Sequence, residues 1–302
     1  MAKRDLYGRP PAPPGEGEHR ISRRALFRGQ LARWADAAVP AAPRPSRTGA
    51  LTAAWRAGWE REGHEPLLRL LAPAAEALVE LAGVSPGARV LDVGAGDGNV
   101  AIAAGRRGAV LSACDLAPAM VARGRAWCPA AEWAVADAQA LPFADGEFDV
   151  VLSAFGAALA PDAAAAAREL VRVTRPGGTV ALAAWVPRGL PGALDAWVEQ
   201  APSWPEGVAA PSAWGERSAA RRRLGGLLEE LDFRTRTVTL RFPSADECFA
   251  ALTRPLPLSE ADTAALRPRF DALLDSCDNA TEGVEIDARY LLVCGQRPIP
   301  QG

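Results

Sequence analysis

Val90-Leu91-Asp92-Val93-Gly94-Ala95-Gly96-Asp97-Gly98-Asn99-Val100 decides the fold. An apolar run ends in aspartate and passes at once into three alternate glycines, the pattern of a strand that turns into a helix around a nucleotide-like ligand. Spacing narrows the ligand. A P-loop needs GxxxxGK[ST], and no lysine follows these glycines; Lys3 is the only lysine of the chain, so a triphosphate loop is excluded. A dinucleotide fingerprint needs GxGxxG, whereas Asn99 occupies its third glycine position, which weakens the NAD reading and leaves it open.

Outward from this turn, strand-like and helix-like periods alternate. Strands are predicted at Arg89 to Val93, Val110 to Cys114, Glu132 to Ala136, Asp149 to Ser153 and Thr179 to Trp185. Helices are predicted near Val100 to Arg107, Pro118 to Trp127 and Asp162 to Thr174. Such alternation builds a parallel sheet with helices on both faces, whose ligands sit at the carboxyl ends of the strands. An irregular stretch rich in Pro and Trp follows (Val186 to Gly215), then a helix near Glu216 to Leu231, a strand Thr235 to Phe242, helical material from Ala245 to Ser276 and a strand Ala288 to Cys294. A helix pair between the last two strands makes them antiparallel at the sheet edge. The fold class is therefore α/β: a Rossmann-like, doubly wound, mostly parallel seven-stranded sheet with an antiparallel last strand.

The flanks divide the chain into segments. Residues 1–48 read as a basic arm rich in Pro, Ala and Arg, partly disordered. Residues 49–85 carry apolar side chains at helical spacing, with Gly63 and Pro66 suggesting a break between two helices that cap the site. Residues 86–185 form the ligand-binding core, and 186–302 a substrate-shaping insertion with the strands that complete the sheet. The arm's Ser22-Arg23-Arg24-Ala25-Leu26-Phe27-Arg28 looks like a twin-arginine export signal, but charges fall where an apolar segment should follow. With a net charge of −2 and few aromatics in the arm, nucleic acid is a poor partner.

The five cysteines are odd in number, scattered and never paired as CxxC, which argues against disulfides and zinc and for a reducing cytoplasm. His19 and His64 are the only histidines, too few for a multi-histidine metal centre. No apolar run reaches the roughly 18 residues of a membrane span.

The glycine motif then gains companions. Asp92 to Gly98, Cys114-Asp115-Leu116-Ala117-Pro118-Ala119-Met120, Asp137-Ala138-Gln139-Ala140-Leu141-Pro142-Phe143, Phe148 to Ser153 and Arg172 to Thr179 resemble, in order, the successive motifs of class I S-adenosylmethionine (SAM) dependent methyltransferases. The stretch from Val90 to Trp185 is most similar to the branch that includes the ubiquinone and menaquinone methyltransferases. The resemblance implies SAM as cofactor and a small-molecule methyl acceptor at O, C or N.

It also implies roles. The Gly94-Ala95-Gly96 turn lets the backbone approach the ligand, and Gly98 lets the next helix pack closely. Asp92 faces the ammonium of the methionine part, and Asp115 accepts from the ribose hydroxyls. Leu116 and Met120 cover the adenine, Asp137 and Ala138 bond its edge, and Ser153 and Phe155 border the methionine part and the methyl group. Met120 reads equally as core. Trp55 and Trp59, four apart on one helical face, either roof the cofactor or pack on the sheet. His64 is a candidate base by its chemistry, against the reading of an exposed histidine at a helix break. Two rival functions stay open: a non-catalytic SAM-binding regulatory protein and an NAD-dependent oxidoreductase. The acceptor and the oligomeric state are not legible.

Overall fold

The computed structural model of the chain describes residues 47–202 and 204–300. The basic arm as far as Ser46, with its export-like motif, lies outside the described residues, and its last two residues open the first helix.

Three helices open the described chain: α1 (Arg47–Trp59), α2 (Glu65–Leu70) and α3 (Ala72–Leu81). The core alternates as the sequence requires: β1 (Arg89–Val93), α4 (Asn99–Gly105), β2 (Val110–Asp115), α5 (Pro118–Trp127), β3 (Glu132–Val135), β4 (Phe148–Ala154), α6 (Ala163–Val173) and β5 (Thr174–Trp185). Beyond it come α7 (Gly192–Val198), a 3-10 turn at Pro211–Gly215, α8 (Arg217–Leu224), β6 (Glu229–Phe242), α9 (Ala245–Thr253), α10 (Glu260–Cys277) and β7 (Val284–Gln296).

The seven strands form one sheet in the order β3-β2-β1-β4-β5-β7-β6. The pairs from β3 to β5 are parallel, with Val90 opposite both Leu111 and Val150. β7 runs antiparallel to both β5 and β6. Successive side chains of a strand point to opposite faces, and both faces are covered here. Val90, Leu111, Val150 and Ala181 pack with Leu78 and Val79 of α3 and with Val100 and Ala104 of α4. Leu91, Cys114, Val151 and Val180 pack on the other side with Leu170 of α6 and Leu224 of α8. The two-residue period thus separates two cores, which is the physical content of a doubly wound sheet.

Two expectations are corrected. The helix predicted to run to Leu231 ends at Leu224, because Gly225 and Gly226 are poor helix formers and Glu229 already pairs with Gln296 of β7. The helical material from Ala245 to Ser276 is the expected helix pair, interrupted where Pro255 and Pro257 cannot continue one helix. The segment before the core holds three helices rather than two, with Pro73 in the first turn of α3. Among the described residues, no helix is long and apolar enough to cross a membrane. All five cysteines are free.

Gly94 sets the geometry at the mouth of the sheet. It has φ +66°, and a Cβ there would stand 2.6 Å from the Cα of Gly156, just beyond β4. Gly83 has a similar φ of +64° with open space around it. Gly83→Ala should therefore cost only the left-handed conformation, about 1–2 kcal/mol, and Gly94→Ala a further ~1–3 kcal/mol from the collision. Urea denaturation of the two variants measures the difference, and equal losses would mean that the two turns can separate freely.

Candidate functional site

A cavity opens at the carboxyl ends of β1, β2, β4 and β5, straddling the point where strand order reverses between β1 and β4, where ligands of open α/β sheets bind. The enclosed part of the cavity has a volume of about 160 Å³ and opens to solvent at its mouth.

Asp92, Gly94, Ala95 and Gly96 line its floor, Asp115 and Leu116 one side, and Asp137 and Ala138 the next. Phe155 lines the far side, and Trp55 and Trp59 line it from α1. Three predicted site residues are not brought to it. Ser153 is buried: its Oγ donates to the Val93 carbonyl at 2.6 Å and accepts from the Ala157 N–H at 2.8 Å, so it ties β4 to β1 instead of bordering a ligand. Met120 is packed with Leu68, Ala117 and Trp59, the core alternative.

His64 is corrected most. It is 1% exposed, its Nε2–H donates to the Gly58 carbonyl at 3.1 Å, and its ring leans on Trp59 at 4.7 Å. Burial, reinforced by Arg254, Arg123 and Arg61, pushes its pKa down to about 4 despite the opposing hydrogen bond. It is neither an exposed histidine nor a wall of the cavity.

The glycine turn spends its own donors. Ala95 N–H goes to the Cys114 carbonyl, Gly96 N–H to Asp115 Oδ2 at 2.9 Å, Gly98 N–H to the Ala95 carbonyl and Ala101 N–H to Asp92 Oδ2 at 3.1 Å. Those four groups are therefore not free to cradle a phosphate. The cavity wall also carries four carboxyl groups, Asp92, Asp115, Asp137 and Asp195, and no Lys, Arg or His among the described residues.

Each carboxyl has its own environment. Asp92 is fully buried, and Oδ1 has no partner among the described residues; desolvation pushes its pKa up to about 8 against the Ala101 hydrogen bond. Asp115 is also raised by burial, while the Ala117 and Gly96 N–H groups hold one oxygen each and oppose the shift. An ionised carboxylate offers about four lone-pair sites, so capacity remains on both oxygens. Asp137 accepts from Gln139 N at 2.9 Å and from its Nε2. Gln139 Nε2 also reaches Thr52 Oγ1 at 3.3 Å, joining the β3 side to α1.

Sequence reasoning missed Thr52, Asn99 and Gln139 on the wall, although Gln139 stands within the third motif. It also missed Asp195 and the residues from beyond β6, Leu252, Pro255 and Leu256. Trp185 lines the wall as well, stacked on Phe155 at 4.1 Å and 22°. Phe155 itself sits at φ +66°, a strained conformation for an aromatic residue that aims the ring across the end of β5. Among the described residues, no group of three or more potential ligands is placed to hold a metal ion.

A family model described as a methyltransferase domain matches residues 91–182. Two uncharacterized proteins of Mycobacterium tuberculosis are similar. One is 40% identical over 181 residues, 58% of this chain and 66% of the relative, just under two thirds of its length. The other is 41% identical over 189 residues, 59% of this chain and 68% of the relative. A demethylmenaquinone methyltransferase of Beutenbergia cavernae is 40% identical over 107 residues, 35% of this chain and 45% of its own length. The solved structure of YcgJ from Bacillus subtilis shares the fold, with a TM-score of 0.54 at 19% identity, over 75% of this chain and 99% of that one. The chain thus carries a methyltransferase domain over residues 91–182, set in the seven-stranded fold of the SAM-dependent methyltransferases.

The buried Asp92 has a consequence for stability. Its folded pKa is raised above the unfolded value, so stability is full below about pH 4 and is lost as pH rises toward about 8. Asp92→Asn keeps the acceptor for Ala101 and removes this titration. The variant should gain on the parent between pH 4 and 8 in thermal melts without ligand, and parallel curves would place the ionisation elsewhere.

Proposed function

We propose that the chain is a SAM-dependent methyltransferase acting on a small-molecule acceptor. The observation that carries this reading is the set of three aspartates at the strand ends, Asp92, Asp115 and Asp137, with no basic group on the described wall, beside a glycine turn whose donors are already spent. A pyrophosphate would meet carboxylates there, whereas a cationic adenosyl ligand meets opposite charge. The NAD reading loses its footing on the same ground.

The unpartnered Oδ1 of Asp92 receives the ligand's ammonium, directly or through water. Asp115 takes the ribose hydroxyls on its remaining lone pairs, Leu116 covers the adenine, and Asp137 with the Ala138 N–H reads its edge. Gln139 holds Asp137 in place for that contact. The Trp55 Nε1–H, buried without a partner among the described residues, supplies a donor from α1, and Trp59 closes the same side. SAM supplies an activated methyl group. The chain's task is to align the acceptor with it in a water-poor cavity, from which much of the acceleration comes. Residues 49–85 act as the cap, 86–185 as the cofactor-binding core and 186–302 as the acceptor-shaping part.

Calorimetric titration with SAM, S-adenosylhomocysteine and NADH tests the reading: both adenosyl ligands bind and NADH does not. At pH 7 binding releases a proton, because the ligand's cation converts a largely protonated Asp92 to carboxylate; affinity therefore rises with pH up to about 8. Repeating the titration in buffers of different ionisation enthalpy counts that proton, and Asp92→Asn abolishes it. Asp115→Ala weakens S-adenosylhomocysteine by more than about 1 kcal/mol. A folded protein that binds neither adenosyl ligand contradicts the assignment.

A further inference from the structure

The cavity has two chemically different halves. The ends of β1, β2 and β3 carry the three aspartates held by backbone or amide donors. Beyond β4 and β5 the wall is apolar and aromatic, built from the stacked Phe155 and Trp185 with Leu194, Pro211, Leu252 and Leu256. One charged group stands in that half. Asp195, in α7, is 8% exposed, lines the cavity, and its carboxyl has no hydrogen bond or ion pair with any described residue. A carboxyl this buried, with no protein partner, depends for its solvation on whatever the cavity holds, so its place calls for a ligand.

The surroundings are built for it. A Cβ on Gly192 would collide with the Val186 carbonyl and one on Gly215 with the Trp185 carbonyl. Glycine at both positions thus lets α7 and the Pro211–Gly215 turn close directly on the end of β5. None of the neighbouring elements supplies a countercharge. The 3-10 turn has no titratable side chain, and Arg188 in the loop before α7 is exposed. Arg254 is bound to the Glu62 and Gly63 carbonyls, and Arg269 lies over the Trp197 ring.

Resting on the methyltransferase reading, we propose that Asp195 is a catalytic residue of the acceptor half: it receives the hydroxyl proton of a planar aromatic alcohol held against Phe155 and Trp185. As the acceptor oxygen forms its bond to the methyl carbon, the carbon–sulfur bond breaks with its electron pair going to sulfur. The hydroxyl proton passes to Asp195, which returns it to solvent. Burial alone raises Asp195 to about 7, so the carboxylate is available near neutral pH and its proton is readily lost afterwards.

The test first titrates S-adenosylhomocysteine into the full chain, into Asp195→Asn and into Asp195→Ala. Equal affinities show that the cofactor half is intact, and failure of the parent protein to bind overturns the function itself and not Asp195. With that ligand present, quenching of tryptophan fluorescence follows three probes: 2-naphthol, its methyl ether and 2-naphthylmethylammonium. The parent prefers the naphthol to the ether by about tenfold or more, as a hydrogen bond to a charged group implies. That preference grows with pH through about 7, where Asp195 ionises. In Asp195→Asn the preference no longer changes with pH, and in Asp195→Ala it vanishes while the ether binds as before. A preference that survives in Asp195→Ala, tighter binding of the ammonium than of the naphthol, or no binding of any probe overturns the assignment.

Discussion

Two glycines that touch determine how this molecule can hold a ligand. The backbone of Gly94 at the end of β1 and that of Gly156 just past β4 approach so closely that a Cβ on Gly156 would lie 2.5 Å from the Gly94 carbonyl oxygen. Ser153 locks the same junction, with its hydroxyl bridging the Val93 carbonyl and the Ala157 N–H. Because β1 and β4 are adjacent and their following helices diverge to opposite faces, this contact floors the crevice at the reversal of strand order. Phe155, caught between Ser153 and Gly156, takes up the strain with φ +66° and is thrown across to Trp185. One backbone contact therefore closes the glycine turn on itself and erects the aromatic wall opposite.

Around that floor, electrostatics is organised by burial. A carboxylate removed from water loses solvation, and the chain restores part of it with N–H groups: one for Asp92, two for Asp115, and the Gln139 donors for Asp137. Restoration at Asp92 is incomplete, since Oδ1 remains unpartnered. An interior charge deficit of this kind is met by a cation, and the absence of basic side chains from the described wall leaves that place to the ligand.

The sheet was legible because its signals are local. Alternating apolar runs with punctuating Gly, Asp and Pro are carried by a few neighbouring residues, and β1 and α5 match their predicted limits. The placement of Asp92, Asp115 and Asp137 on the cavity wall was legible for the same reason, all three standing at strand ends that the period identifies. Side-chain destinations were not. Ser153 follows an apolar run and reads as a site residue, but the Val93 carbonyl that captures it lies 60 positions away. His64 looks exposed beside Glu62 and Glu65; its burial depends on Gly58, Trp59 and an arginine at position 254 that grips the Glu62 and Gly63 carbonyls. Wall residues such as Leu252 and Leu256 reach the cavity only through tertiary folding, which no local period encodes.

This division explains why motif and specificity separate along the chain. The aspartate side of the cavity is assembled from strand ends within one hundred residues, each aspartate held by nearby N–H donors, so its geometry follows from local chemistry. The opposite half is assembled from α7 and the Pro211–Gly215 turn, seated against the Val186 and Trp185 carbonyls at the end of β5, and from the segment after α9, whose Pro255 carbonyl lies against Gly58 of α1. Those elements can change length and side chains without disturbing the Gly94–Gly156 contact or the hydrogen bonds of the turn, because they share none of them. The constraint that fixes the glycine turn therefore leaves the opposite wall free to vary independently, and among the described residues the one charged side chain on that wall is Asp195.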